Sequence, residues 1–449
     1  MRALGFRSSM LVSLLLSSLC SLQSTPSNHT WANLMPRHAV PRSGFSMPSE
    51  QEFLPLLADR EAEMSERIDA LKALAYLGVK INYSDLKAMK RNLHDDAALI
   101  SYVRCLSLCG EVAREPLQKY IKHRSPAVRA EAIYGFARYF EGGRDVAHAT
   151  LSERKLHAWQ RVAAIRALAD VDLSLAQVEV MRRLGSESGE VLLECLEILR
   201  RDLSDDYIPV LIELLKKGRS RATAEASAML QQITGYKIGN DYRSWHIAYL
   251  RHRVAHTSMR APEESTTQLR TVAYMGIPIF SDNICFVLDS SSSMTERMYE
   301  MRRMTRAAKV IEEFDKMLPI LPSTSRFNVV FFESLIHEMY EQLTLVTPES
   351  KEYASVFVST NNFSGGTNLF GGIVRSFEFS GIEEVIVLSD GDPSVGDYTK
   401  PWQIMVELDR LNRWRNIRIS SISFSAPRAA ESLMYLISAY NAGHFRDID

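Results

Sequence analysis

The chain has only 5 cysteines in 449 residues, too few and too scattered for a disulfide framework. Cys20 lies at the edge of an N-terminal apolar run. Cys195 and Cys285 each sit in an apolar stretch. Cys105 and Cys109 are four apart in a helical pattern, so they share a face. That pair would make half of a zinc site, but no CxxC or nearby His pair completes a ligand set; small apolar residues in a helical core are the simpler reading. An excess of one charge is also missing. Lys+Arg 53 against Asp+Glu 54 leaves a net charge of −1, which argues against a general nucleic-acid binder. The chain has no Gly-x-Ser-x-Gly elbow, no HExxH and no phosphate loop ending in GK[ST]; Gly365-Gly366-Thr367 lacks the lysine such a loop needs. No enzymatic activity and no small-molecule substrate are therefore expected.

With 46% hydrophobic residues, a chain this long has the material for two or three cored domains. Its N-terminus reads as a targeting signal. Arg2 and Arg7 precede the apolar run Met10–Leu19, and small and polar residues follow to Ser24. The run is shorter than the roughly 20 apolar residues a spanning helix needs. Residues 1–24 are thus expected to be a secretory signal, which places the protein outside the cytoplasm, secreted or in the periplasm. Membrane contact is expected only through that signal. Residues 25–52, rich in Ser, Pro, Asn and Thr, read as a flexible lead-in.

From residue 53 to 250 the pattern is helical throughout. SERIDALKALAYLG, ALISYVRCLSLCG, SPAVRAEAIYGFARYF, AWQRVAAIRALADV, GEVLLECLEILRR and ATAEASAMLQQITG recur roughly every 30 residues, most with a shorter helix behind. A two-helix unit of that period predicts an α-solenoid, in which each apolar stripe buries against its neighbours. The segment resembles the HEAT family, with about six units. The aromatic segment 233–250, with Tyr242, Trp245 and Tyr249, reads as a terminal cap. Residues 251–273 read as a polar linker.

Residues 274–449 change to alternating strand and helix patterns. The stretch Ile284–Met294, ICFVLDSSSSM, runs from buried strand into Asp289, Ser291 and Ser293. Ser364–Asn368 is a Gly-rich turn that carries Thr367. EVIVLSDG, residues 384–391, is a second buried strand, ending in Asp390. A long helix is expected over 296–318. In an open α/β sheet, ligands sit beyond the carboxyl ends of the strands. A carboxylate beside hydroxyls is the hard-oxygen set that Mg²⁺ accepts while it keeps several waters.

These three pieces in this order resemble the von Willebrand factor A-type domain and its metal-ion-dependent adhesion site. The resemblance covers roughly the last 170 residues. It implies a doubly wound, Rossmann-like α/β fold behind the α-solenoid. It also implies a site for Mg²⁺, Mn²⁺ or Ca²⁺ made by Asp289, Ser291, Ser293, Thr367 and Asp390. Such a site leaves one coordination position for an Asp or Glu carboxylate of a protein partner. The expected function is that of an exported scaffold, with the helical repeats as a second protein-binding surface. The alternative is an assembly subunit serving an enzyme complex, as relatives of this fold do for AAA-type chelatases and insertases.

Overall fold

The computed structural model describes residues 48–448, apart from 154, 188, 219, 256, 261–271, 299–303 and 425. The expected signal segment, most of the lead-in and the middle of the linker lie outside the described residues. Among those described, helices α1 (Glu50–Ala58), α2 (Met64–Leu77), α3 (Tyr83–Met89), α4 (Asp96–Ser107), α5 (Arg114–Tyr120), α6 (Pro126–Tyr139) and α7 (Gly143–Leu151) come first. They continue with α8 (Ala158–Val171), α9 (Leu173–Arg183), α10 (Gly189–Arg200), α11 (Ile208–Leu214), α12 (Arg221–Thr234) and α13 (Tyr242–Ala255). Local signals set their ends. Asp95, Asp172 and Ser220 accept backbone N–H groups in the first turns of α4, α9 and α12. Gly78 ends α2 at φ 69°, a left-handed position that suits glycine.

The longer helices α2, α4, α6, α8, α10 and α12 stack one on the next, with the shorter helices behind them. This is an α-solenoid, and its apolar faces form two continuous cores. The last helix runs past Leu250 to Ala255. Trp245, on this helix, is fully buried and donates its indole N–H to the Gly239 carbonyl at 2.7 Å. It closes the end of the stack and offers no exposed aromatic patch.

The second region opens with a small hairpin, β1 (Ala273–Tyr274) and β2 (Ile277–Pro278), which sequence pattern alone did not suggest. Then follow β3 (Asn283–Asp289), α14 (Arg306–Met317), β4 (Arg326–Phe332), β5 (Ile336–Glu338), β6 (Thr344–Leu345), α15 (Pro348–Ser359) and α16 (Leu369–Phe377). The chain continues with β7 (Glu384–Ser389), α17 (Pro401–Asn412), β8 (Arg418–Phe424), α18 (Arg428–Tyr440) and β9 (Phe445–Ile448). The sheet order is β5-β4-β3-β7-β8-β9, with β6 also pairing β4. Strands β4, β3, β7, β8 and β9 are parallel; β5 and β6 form an antiparallel edge. Both faces are covered, and the side chains of β3 show it. Ile284, Phe286 and Leu288 enter the core on one face, and Cys285 and Val287 the core on the other. The sequence expectation of an α/β doubly wound domain after an α-solenoid matches this architecture.

One expected element is different. No helix starts at Glu296: residues 296–298 and 304–305 are not helical. Arg306 N–H bonds to the Glu296 carbonyl at 3.1 Å, and Met298 N–H to the Met304 carbonyl at 3.0 Å. Arg297 and Thr305 thus face each other in an isolated antiparallel bridge, and α14 begins only where the Thr305 hydroxyl accepts the Ala308 N–H.

Solenoid and sheet domain form one unit. Helix α17 and the turn after it lie along the stacked helices, and charged residues from successive repeats meet it in order. Gln403 donates to Asp69 at 2.9 Å, Lys72 pairs with Glu407 at 2.8 Å, and Arg104 with Asp409 at 2.7 Å. Arg413 pairs with Glu131 at 3.0 Å. Arg166 donates to the Arg413 carbonyl at 2.8 Å, Asn416 to Glu194 at 3.2 Å, and Arg418 pairs with Glu225. Trp414 sits among them, 5.6 Å from Tyr134 and stacked between Arg166 and Arg413. Part of the solenoid surface expected to be free for a partner is thus covered by the protein's own α17.

This seam is expected to be acid-sensitive. Burial pushes the Asp409 carboxyl up, but Arg104 and Arg413 outweigh it and hold it below its ordinary value of 3.8. Glu225, buried beside Arg418, Arg200 and Arg221, is likewise held below 4.5. Carboxyls more acidic in the fold than in the unfolded chain stabilise it fully above their ordinary values. That contribution is lost as pH falls through the folded values. The denaturant midpoint is expected to be level near neutrality and to fall below about pH 4. A midpoint unchanged to about pH 3 would show that the seam carries no net electrostatic stabilisation.

Candidate functional site

The chain crosses from β3 to β4 on one side of the sheet and later returns to β7 on the other side of β3. The carboxyl ends of β3 and β7 therefore flank the switch point of the strand order, where open α/β sheets place their ligands. Asp289 ends β3, and Asp390 follows the last residue of β7.

Three loops meet there and are tied by their backbones. Ser364 N–H bonds to the Ser290 carbonyl at 2.8 Å, and the Ser292 hydroxyl to the Gly365 carbonyl at 3.1 Å, joining the first loop to the second. The Thr367 N–H bonds to the Ser394 hydroxyl at 2.9 Å and the Ser394 N–H to the Thr367 carbonyl at 3.0 Å, joining the second to the third. Gly365 has φ 76°, and a Cβ there would come within 2.2 Å of a Glu333 carboxylate oxygen. Only glycine closes this turn so tightly against β4.

The side chains converge as follows. The Asp289 carboxylate is buried; its Oδ1 accepts the Ser291 N–H at 2.8 Å and its Oδ2 the Ser389 hydroxyl at 2.6 Å. The Ser291 and Ser293 hydroxyl oxygens are 3.0 Å apart. The Ser293 hydroxyl donates to Asp390 Oδ1 at 2.7 Å. The Thr367 and Ser293 hydroxyl oxygens each lie 3.9 Å from the point where a Cβ on Gly391 would stand, so they face the same small space. All five residues read from the sequence are brought together. Asp392, two residues past Asp390, is exposed to solvent.

Burial raises the Asp289 carboxyl to about 6, against the hydrogen bonds from Ser291 and Ser389 that favour its charged form; the nearby Asp390 charge pushes it up further. A buried carboxylate beside another gains from a cation. Every donor here is a carboxylate or hydroxyl oxygen, the chemistry of a Mg²⁺, Mn²⁺ or Ca²⁺ site. Among the described residues no group of three or more His, Cys, Asp or Glu is arranged to hold a metal ion. The present set has only two carboxylates and relies on hydroxyls, so the residues fit a hard divalent cation and not a zinc site.

Two contributors escaped the sequence reading. Ser389, the last residue of β7, orients Asp289. Its signal was a lone hydroxyl ending a buried apolar strand. Arg306 donates to Asp390 Oδ2 at 2.6 Å. The expectation of a helix from Glu296 placed it in mid-helix, away from the loops.

No protein-family model matches the sequence. The curated proteins similar to it include inter-alpha-trypsin inhibitor heavy chain H3 of Homo sapiens, 29% identical over 137 residues, which are 28% of this chain and 14% of that one. Von Willebrand factor A domain-containing protein 3A of Homo sapiens is 21% identical over 168 residues, 37% of this chain and 13% of that one. The chain thus matches only a small part of the length of these relatives. Similar solved structures include BatB from Bacteroides thetaiotaomicron, 13% identical with a TM-score of 0.29, over 37% of this chain and 89% of that one. The region Ala273–Ile448 has the sheet order of an α/β doubly wound domain, like von Willebrand factor A-type domains, and the curated proteins similar to the chain include one named for that domain.

Proposed function

We propose that this domain is a non-enzymatic interaction module that captures a protein partner through a divalent cation. The observation that carries the reading is the meeting of Asp289, Ser291, Ser293, Thr367 and Asp390 at the switch point, on loops that hydrogen-bond to one another. The hydroxyls of Ser291, Ser293 and Thr367 would hold the ion, with Asp289 and Asp390 supplying charge. The hydroxyls add no charge of their own, so the ion stays electron-poor. A bound cation would supply Lewis acidity toward an Asp or Glu carboxylate of the partner. The chain's own contribution is positional: Ser389 fixes the Asp289 carboxylate, and the tied loops hold the hydroxyls at fixed spacing.

The basic and apolar N-terminal segment supports export to the periplasm or the exterior. Among the described residues no helix is long and apolar enough to cross a membrane. The reading is tested with the full chain. Calorimetry should show binding of MgCl₂, MnCl₂ or CaCl₂. Proteins retained on the immobilised chain should elute with EDTA and be absent from an Asp289→Ala column. Retention indifferent to both EDTA and that substitution would refute it.

A further inference from the structure

Arg306 has no part in the ligand set just described, yet it touches it. Its Nη1 is 2.6 Å from Asp390 Oδ2, 3.3 Å from the Ser293 carbonyl and 3.5 Å from the exposed Glu296 carboxylate. The Asp390 side chain is fully shielded and that of Arg306 is 12% exposed. The other Asp390 oxygen is taken by the Ser293 hydroxyl. Both oxygens of this carboxylate are therefore engaged, one by a fixed positive charge. Among the described residues, Arg306 Nε is buried with no hydrogen-bond partner. The guanidinium is held here by Asp390 and by its place at the first turn of α14.

Resting on the cation-site reading above, we infer that Arg306 is a built-in competitor that sets the metal affinity of the site and reserves a charge for the partner. The charge count carries the argument. Asp289 and Asp390 supply two negative charges and Arg306 one positive charge; Glu296, 3.5 Å from Arg306, is two-thirds exposed, so water screens its charge and it stays outside the count. A divalent cation then leaves the loaded site with one net positive charge, and a partner's carboxylate neutralises it. Without Arg306 the two carboxylates already neutralise the ion, and a further carboxylate has less to gain. Arg306 also repels the ion at short range and occupies an oxygen the ion would use. Metal alone is thus bound weakly, and metal with an acidic ligand is bound well. The two arrive as a cooperative pair.

The test is calorimetric titration of the full chain with MgCl₂ alone, for wild type, Arg306→Gln and Arg306→Lys, with circular dichroism to confirm folding. Arg306→Gln is expected to bind Mg²⁺ about tenfold more tightly than wild type, the lysine variant close to wild type. Acetate added to the Mg²⁺-loaded chain should raise the apparent Mg²⁺ affinity of wild type more than that of Arg306→Gln. Equal or weaker Mg²⁺ binding in Arg306→Gln overturns the inference, while the site itself stands if Asp289→Ala abolishes binding. If wild type binds no Mg²⁺, both readings fall together.

Discussion

Asp289→Ala and Thr367→Ala are each expected to lower Mg²⁺ affinity by about a hundredfold or more while the domain stays folded. Even residues that only orient a metal ligand typically cost 10–100-fold when lost, so Thr367, a direct donor in this reading, and Asp289, one of its two carboxylate charges, should each cost at least as much. The two substitutions differ in what else they disturb. The Asp289 carboxylate accepts the Ser291 N–H and the Ser389 hydroxyl, so alanine leaves two buried donors unpaired, at about 1–3 kcal/mol each. Thr367 ties its loop through its backbone N–H and carbonyl. Removing its hydroxyl leaves that tie intact, so Thr367→Ala is the cleaner probe. Calorimetry with folding checked by circular dichroism decides the matter. Unchanged affinity in both variants would remove the site assignment.

Arg166→Ala is expected to destabilise the folded chain by about 3–5 kcal/mol, the usual cost of stranding one member of a buried ion pair. Arg166 and Glu194 are both almost completely buried, and their closest approach is 2.5 Å. The same guanidinium bonds to the Arg413 carbonyl at 2.8 Å and stacks on Trp414, so it links the repeats to the sheet domain. A double substitution, Arg166→Ala with Glu194→Ala, should recover part of the loss, because no buried carboxylate is then left alone. The Glu194→Ala change also removes the acceptor for Asn416, so recovery is expected to be partial. Chemical denaturation followed by tryptophan fluorescence measures both. A cost below about 1 kcal/mol for the single variant would show that the pair is exchanged for water in the native state.

The sheet domain was legible because its signals are local. A buried run that ends in Asp289, a glycine turn and a second buried run that ends in Asp390 each announce themselves within ten residues or so. Strands β3 and β7 lie where those buried runs put them. Two kinds of feature were not legible. The antiparallel bridge of Arg297 with Thr305 depends on backbone pairing that the amphipathic pattern around it does not announce. The seam between solenoid and sheet domain joins residues far apart in the chain, 247 positions in the case of Arg166 and Arg413. Arg104, Glu131, Arg166, Glu194 and Glu225 stand on successive long helices, and in sequence each looks like an ordinary solvated charge. Their burial follows only once α17 is laid across them.

That ordered row of contacts also fixes a length. Repeat arrays commonly gain or lose a unit at modest cost, because each unit touches only its neighbours. Here every long helix from α2 to α12 has an assigned place along one stretch, from Gln403 to Arg418. Inserting or deleting a single unit would shift every later charge off its mate and leave several stranded in the interior. The array is therefore gauged to the helix that lies against it, and the freedom to lengthen by duplication is closed.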